Sequence, residues 1–266
     1  MNILDKIVAV KQKEVADKKA GISTKSLEGS PFFERQPFSF KDYLLRDDLN
    51  GIIAEFKRKS PSLGVINGEA SVAQTTSGYV QAGASALSVL TDEQFFGGTY
   101  EDLTTARHAN QCPILRKDFI IDEYQIIEAK SMGADVILLI AAILEADQVN
   151  KFAKFARSLG MQILLEVHDQ EELERTLTDQ VDAIGVNNRN LKDFSQTIDT
   201  SKNLASLIPD SFIKVSESGI GKPETILDLR NYGYRGFLMG EAFMKTNNPG
   251  EACATFIQSL KQLATA

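Results

Sequence analysis

The chain has 266 residues, 43% of them hydrophobic and 24% charged, with a formal charge of −7. Such a composition belongs to a globular protein with a large core, built as one α/β barrel or two smaller domains. The acidic balance argues against a nucleic-acid or membrane surface, which would select clustered Lys and Arg, so an anionic ligand has to be met locally.

Charged Asp5 and Lys6 stand where a signal peptide needs an apolar segment, and no later apolar run approaches the roughly 18 residues of a membrane span. Cys112 and Cys253 lack the spacing of a metal site or disulfide framework and read as reduced structural thiols. A cytoplasmic protein is expected, as a monomer or weak homo-oligomer.

In chain order, Ile3, Leu4, Ile7, Val8, Lys11 and Val15 recur at helical spacing over residues 2–20, which predicts an amphipathic helix. The next stretch, to about residue 46, mixes Ser and Pro with Phe (Pro31-Phe32-Phe33 and Pro37-Phe38-Ser39-Phe40) and is too aromatic for a free linker. Residues 1–46 therefore read as a helical extension on a main body of residues 47–266, together one integrated domain. Within that body, apolar runs at 51–56, 86–90, 113–116, 136–140, 162–167, 183–187, 212–216 and 236–239 predict eight strands. Helical patterns fall between them at 72–82, 100–109, 122–132, 147–159, 170–177, 200–207 and 223–232, with a last one at 252–263. Gly83, Gly133, Gly160 and Gly233 each end a helical stretch before a strand.

Eight strand–helix repeats match a (β/α)8 TIM barrel better than a doubly wound sheet, with the N-terminal extension packed over the barrel top. Gly219-Ile220-Gly221 lacks the third glycine of a dinucleotide fingerprint.

Barrel active sites lie at the C-terminal ends of the strands, so the polar residues that end the apolar runs form a candidate set. The first run ends in Glu55 and Lys57, which share a strand face and read either as an acid/base pair or as the start of a charged turn. The third ends in Arg116-Lys117-Asp118, the fifth in Glu166, the sixth in Asn187 and Arg189, and the seventh in Glu217 and Ser218. Lysines and glutamates gathered at a partly closed rim shift one another's pKa values and support proton transfer. Lys117, Glu166, Glu55 and Lys57 are the candidate catalytic set, although Glu166 alone could equally cap or pair locally. His108 and His168 read as structural, and two histidines without ligand spacing argue against a metal centre.

The loops Ser216-Glu217-Ser218-Gly219-Ile220-Gly221 and Phe237-Leu238-Met239-Gly240-Glu241-Ala242 follow the last two strands, where barrels commonly bind phosphate through backbone N–H groups. The same glycines also serve as plain turn residues. Ser60 could add a hydroxyl donor, and a phosphorylated small molecule is the expected substrate.

The run Ile52-Ile53-Ala54-Glu55-Phe56-Lys57-Arg58-Lys59-Ser60-Pro61-Ser62 resembles the signature of the indole-3-glycerol phosphate synthase family. The resemblance continues through Leu90-Thr91-Asp92, Phe96-Gly97-Gly98-Thr99, Leu115-Arg116-Lys117-Asp118-Phe119, Leu164-Leu165-Glu166-Val167, Gly185-Val186-Asn187-Asn188-Arg189 and Glu217-Ser218-Gly219-Ile220. It implies cofactor-free ring closure of 1-(2-carboxyphenylamino)-1-deoxyribulose 5-phosphate, with loss of CO2 and water, in tryptophan biosynthesis. Lys117 would be the general acid at the ribulose carbonyl, with Glu55, Lys57 and Glu166 as the remaining proton-transfer set.

By the same resemblance Asn187, Arg189, Glu217 and Ser218 would contact the substrate's polar groups, and Phe96, Phe119, Leu138 and Leu191 would form an apolar slot for its aromatic ring. Read from pattern alone, those four apolar residues could equally be core. Phosphate would rest on Ser60, Gly219, Gly240 and the backbone of Glu241, with the N-terminal helix lying over that end. Glu241, Asn190 and Asp193 depart from residues common in the family and bear on affinity rather than on the reaction. The rival readings are a Schiff-base aldolase-type barrel acting on a sugar phosphate and a catalytically inactive phosphate-binding barrel. Phosphoribosylanthranilate isomerase fits less well, because it has no use for the extension.

Overall fold

The computed structural model describes residues 3–190 and 194–265. Strands of a parallel sheet are covered on both faces and read as continuous apolar runs. Among the described residues eight such runs form a closed barrel: β1 (Ile52–Phe56), β2 (Ala86–Leu90), β3 (Ile114–Lys117), β4 (Val136–Ile140), β5 (Gln162–Val167), β6 (Ala183–Asn187), β7 (Ile213–Glu217) and β8 (Tyr234–Met239). Each pairs in parallel with its sequence neighbours, and β1 closes the ring against β8, with Ile52 opposite Phe237.

The pleat sends alternate residues to opposite faces. Ile53, Leu115, Leu138, Leu164, Val215 and Leu238 fill the interior, while Ile52, Ala54, Leu87, Leu139 and Ile163 pack outward against the helices. The (β/α)8 expectation therefore holds. Among the described residues no helix is long and apolar enough to cross a membrane.

Element boundaries depart from the sequence reading in ways that have physical causes. β8 begins at Tyr234, two residues early, because exposed Arg235 breaks the apolar run beside an irregularity in the pairing with β7. β3 and β7 each run one residue further, so that Lys117 and Glu217 are the last residues of their strands. Four short helices that the pattern does not predict, Thr24–Glu28, Phe40–Leu45, Glu93–Phe96 and Glu241–Met244, have too few turns to show a period.

The extension closes both ends of the barrel. Its first helix, Ile3–Gly21, lies at the C-terminal rim and buries Ile7, Lys11 and Val15. Lys11 is 1% exposed, with its ammonium 3.1 Å from Asp92 and 3.0 Å from Asp118. Burial would lower its pKa, but Asp118, Asp92 and Glu14 raise it and keep it a cation. The ion network continues inward, since Asp118 meets fully buried Arg116 at 3.0 Å and Arg116 meets Glu128 at 2.6 Å. Asp92 also accepts the N–H groups of Phe95 and Phe96, so the latch on the helix fixes the entrance to the next segment as well.

From there the chain runs down the barrel wall, where the fully buried Asp135 carboxylate accepts from Arg35, Arg107 and the N–H groups of Phe38 and Ile114. Helix Phe40–Leu45 then presses Phe40 and Leu44 into the interior cluster just before β1 begins, which plugs the end opposite the rim.

Removing one member of a buried ion pair leaves its partners stranded at a loss of about 3–5 kcal/mol. Lys11→Met is accordingly expected to lower the urea midpoint and to strip hydrogen-exchange protection from the amides of the first helix while the barrel strands stay protected. Unchanged protection in that helix would show that the latch contributes nothing.

Candidate active site

The strand register sets the rim. Glu55 lies opposite Ser88, Leu90 opposite Lys117, Ile140 opposite Glu166 and Asn187 opposite Glu217, so charged ends are delivered at one level around the barrel. Glu55, Lys57, Lys117, Glu166, Asn187, Arg189, Glu217 and Ser218 all line a single cavity there. The Glu55 and Lys57 side chains meet at 2.6 Å and both line the cavity. Arg58 and Lys59 turn away, to Asp102 and to the Gln94 carbonyl.

Lys117 is the centre of the constellation. Its ammonium lies 2.7 Å from Glu166 Oε2 and 3.6 Å from Glu217 Oε2. Burial would favour the neutral amine, but Glu166, Glu217 and Glu55 together raise its pKa well above the ordinary lysine value. Glu166 also accepts from Asn187 Nδ2 at 3.1 Å through its other oxygen. Burial opposes its charge as well, yet Lys117, His168 and the two hydrogen bonds hold the Glu166 carboxyl down at about 2.

Glu217 has the reverse fate. Burial, and then repulsion from Glu166 and Glu55, outweigh its more distant contact with Lys117 and push its pKa up to about 8. Its Oε1 is buried without a hydrogen-bond partner among the described residues. The sequence reading placed Glu217 among simple substrate contacts; its position over Lys117 is a consequence of strand register that the local motif does not carry.

Two glycines make room for these acids. A Cβ on Gly185 would lie 2.2 Å from Glu217 Oε1, and one on Gly240 would lie 2.8 Å from Glu55 Oε1. Gly240 thus has a steric reason to lack a side chain, and neither it nor Gly219 is among the residues lining the cavity. Ser218 and Gly219 both have positive φ, at 66° and 73°, and the turn they make is tied down by Asn188, whose amide donates to the Ser218 carbonyl and to Ser216 Oγ. Asn188 is a buried fastener that its unremarkable place between Asn187 and Arg189 conceals.

Away from the acids the cavity has two different walls. Arg189 donates to Ser62 Oγ at 3.1 Å and to Glu241 at 3.2 Å, so the Glu241 carboxylate is partnered, and Ser60 lines the same side. The opposite wall is apolar, with Phe96 and Phe119 rings 5.9 Å apart beside Leu138 and Ile140. Ile3, Leu4 and Ile7 of the first helix join this wall, so the helix covers the apolar side rather than the side of Ser60 and Glu241. Phe194, held at a φ of 61°, also lines the cavity and was not foreseen. Leu191 and Asp193 lie outside the described residues.

A closed (β/α)8 barrel whose rim holds two lysines among three carboxyl groups, between a polar and an apolar wall, is a barrel enzyme equipped for general acid–base chemistry. Residues 4–256 match the family model for indole-3-glycerol phosphate synthase. Proteins of that name are similar along nearly their whole length: one from Bacteroides thetaiotaomicron is 47% identical, over 98% of this chain and 99% of its own. One from Bordetella pertussis is 43% identical over 96% of this chain and 99% of its own. The chain belongs to the indole-3-glycerol phosphate synthase family. A solved structure titled "Native KDPGal structure" superposes with a TM-score of 0.57 at 13% identity, over 80% of this chain and 94% of that one, a likeness of fold alone.

The raised Glu217 pKa has a thermodynamic consequence. A carboxyl that titrates near 8 when folded and near its ordinary value of about 4.3 when unfolded binds its proton more tightly in the folded state, so its contribution to stability is present at low pH and fades as pH climbs through that window. Glu217→Gln keeps a neutral side chain throughout, and its urea midpoint relative to wild type is expected to rise between pH 5 and pH 9. A constant difference would show that Glu217 titrates normally.

Proposed function

We propose that this barrel closes an indole ring, converting 1-(2-carboxyphenylamino)-1-deoxyribulose 5-phosphate to indole-3-glycerol phosphate with release of CO2 and water. The observation that carries the residue assignment is the Lys117 ammonium, held protonated at 2.7 Å from Glu166 inside the cavity. A cation so placed is a proton donor. As the ring carbon bearing the carboxylate attacks the ribulose carbonyl, Lys117 protonates the carbonyl oxygen; loss of CO2 then returns the bonding electrons to the ring and restores aromaticity. Departure of the resulting hydroxyl as water needs a second acid and a base, which Lys57, Glu55 and Glu166 supply.

The two walls suit the two ends of this substrate. Phe96, Phe119 and Leu138 form the slot for the aromatic ring, with Leu191 assigned to it by family resemblance. Asn187, Arg189, Glu217 and Ser218 meet the hydroxyls and carboxylate, and the phosphate rests on Ser60 and the backbone of Glu241 at the cavity wall, with Gly219 and Gly240 assigned to it by family resemblance alone. No cofactor enters the scheme. A Schiff-base mechanism needs a lysine that gives up its proton readily, and the carboxylates around Lys117 work against that.

Indole fluorescence on adding the carboxyphenylamino-deoxyribulose phosphate tests the reading, and folded protein that gives no signal would sink it. Lys117→Ala is expected to keep the wild-type circular dichroism and to lower kcat by at least about a hundredfold. Turnover close to wild type would move the general acid elsewhere. Borohydride reduction in the presence of the substrate is expected to add no mass at Lys117 or Lys57, and an adduct there would favour the imine-forming rival.

A further inference from the structure

Glu166 Oε2 meets Lys117, but Oε1 has a neighbour besides Asn187. Two residues beyond Glu166, His168 places Nε2 at 3.4 Å from Oε1, with its side chain only 12% exposed. On the other side of the ring, Nδ1 lies 3.1 Å from Glu172 Oε2, and the same oxygen accepts the His168 backbone N–H at 2.8 Å. Glu172 is itself set by the start of helix Gln170–Thr176, where its own N–H donates to Asp169.

An ionised carboxylate can only accept hydrogen bonds, so Nδ1 carries a proton and Nε2 is the nitrogen that gains or loses one. Nε2 is buried and has no hydrogen-bond partner among the described residues. With a bare lone pair it would face a carboxylate oxygen in repulsion; with a proton it faces the same oxygen as half of an ion pair. The groups around the ring are Glu166 from β5 and Glu172 from helix Gln170–Thr176, both of which favour the cation, Glu217 from β7, which adds its charge only as it ionises near pH 8, and Lys117 from β3, reached through Glu166. Burial lowers the imidazole pKa, but the Glu172 hydrogen bond and the charges of Glu166 and Glu172 lead the effects that outweigh it and raise the value.

We propose that His168, borne by Glu172, is a positioning residue that fixes Glu166 opposite Lys117. The inference rests on Glu166 acting in proton transfer as assigned above. The carboxylate is then gripped from both oxygens, by Lys117 through Oε2 and by His168 and Asn187 through Oε1. The sign of the pH effect follows. His168 is a cation below its folded pKa and neutral above it, so the grip is present at low pH and turns to repulsion as pH rises through that value. kcat falls with it, while substrate binding, which depends on other residues, is little affected.

The chain has two histidines, so imidazole 15N spectra are assigned with one His108→Gln variant. The substrate-free protein is expected to show His168 protonated on both nitrogens at pH 6, titrating above the ordinary value of about 6.5. Glu172→Gln, which retains an acceptor for the backbone N–H, is expected to lower that pKa and to carry an alkaline inflection of kcat down with it, while KM changes by less than about threefold. His168→Ala is expected to lower kcat about tenfold or more through misplacement of the base. A His168 that is neutral at pH 6, or a kcat inflection that stays fixed while the imidazole pKa falls, overturns the proposal. A chain that forms no indole overturns the functional reading instead, and the imidazole titration still decides whether His168 grips Glu166.

Discussion

The contact between the Lys117 ammonium and the Glu166 carboxylate, at 2.7 Å inside the rim, is the interaction on which the rest of the site depends. A single buried charge would lose several kcal/mol of hydration, so the lysine persists as a cation only because strands from other parts of the barrel bring acids to it. One cation cannot serve two acids equally. Glu166, at the shorter distance, stays ionised, while Glu217, at 3.6 Å and crowded by other carboxylates, keeps its proton to about pH 8. Two side chains of the same type thus rest in opposite protonation states, one ionised beside the ammonium and the other kept neutral by burial and by its acidic neighbours.

Such an arrangement needs positional control at every strand end, and the fold supplies it by register and by space. Parallel pairing places Glu166 beside Ile140 and Glu217 beside Asn187, and the pleat turns each inward. Gly185 and Gly240 then leave the volume into which Glu217 and Glu55 project. Farther out, Lys11 locks the first helix to Asp92 and Asp118, and through Asp92 the same latch holds the turn carrying Phe96. The apolar wall of the cavity is therefore maintained by buried ions, of which Asp118 also lines the cavity, whereas the lysine and glutamate set is maintained by the barrel itself.

Much of this could be read from the sequence because it is local. Eight apolar runs at regular spacing gave the barrel, and polar residues at their ends gave Glu55, Lys57, Lys117 and Glu166, all of which line one cavity. Lys11 stands on the apolar stripe of the first helix, and the structure shows why it belongs there: its acids come from the loops after β2 and β3, 81 and 107 residues away. What stayed hidden depends on distance across the barrel. Nothing near Glu217 says that Lys117 is already engaged by Glu166, nothing near Gly240 says that Glu55 needs its space, and His168 reads as an ordinary helix-flanking residue until its ring is placed between two glutamates. The start of β8 was missed for a local reason, since Arg235 points out of a strand whose other residues are buried.

The division of the cavity into an apolar and a polar wall also bears on the order of events that such a site favours. In the proposed binding mode the ring lies among Phe96, Phe119 and Leu138 and only its carboxylate reaches the polar donors, so departure as neutral CO2 removes a charge from the border of the region least able to solvate one. Charge that develops on the sugar side instead meets Lys117, Lys57 and Arg189. In that binding mode the asymmetry acts as an electrostatic gradient along the substrate, with loss of charge favoured at one end and proton delivery at the other. The first helix strengthens the gradient because Ile3, Leu4 and Ile7 thicken only the apolar side. Had it covered the side of Ser60 and Arg189, it would have had to bring polar partners for an anionic group; lying where it does, it needs only hydrocarbon facing the cavity and a single buried lysine to hold it in place.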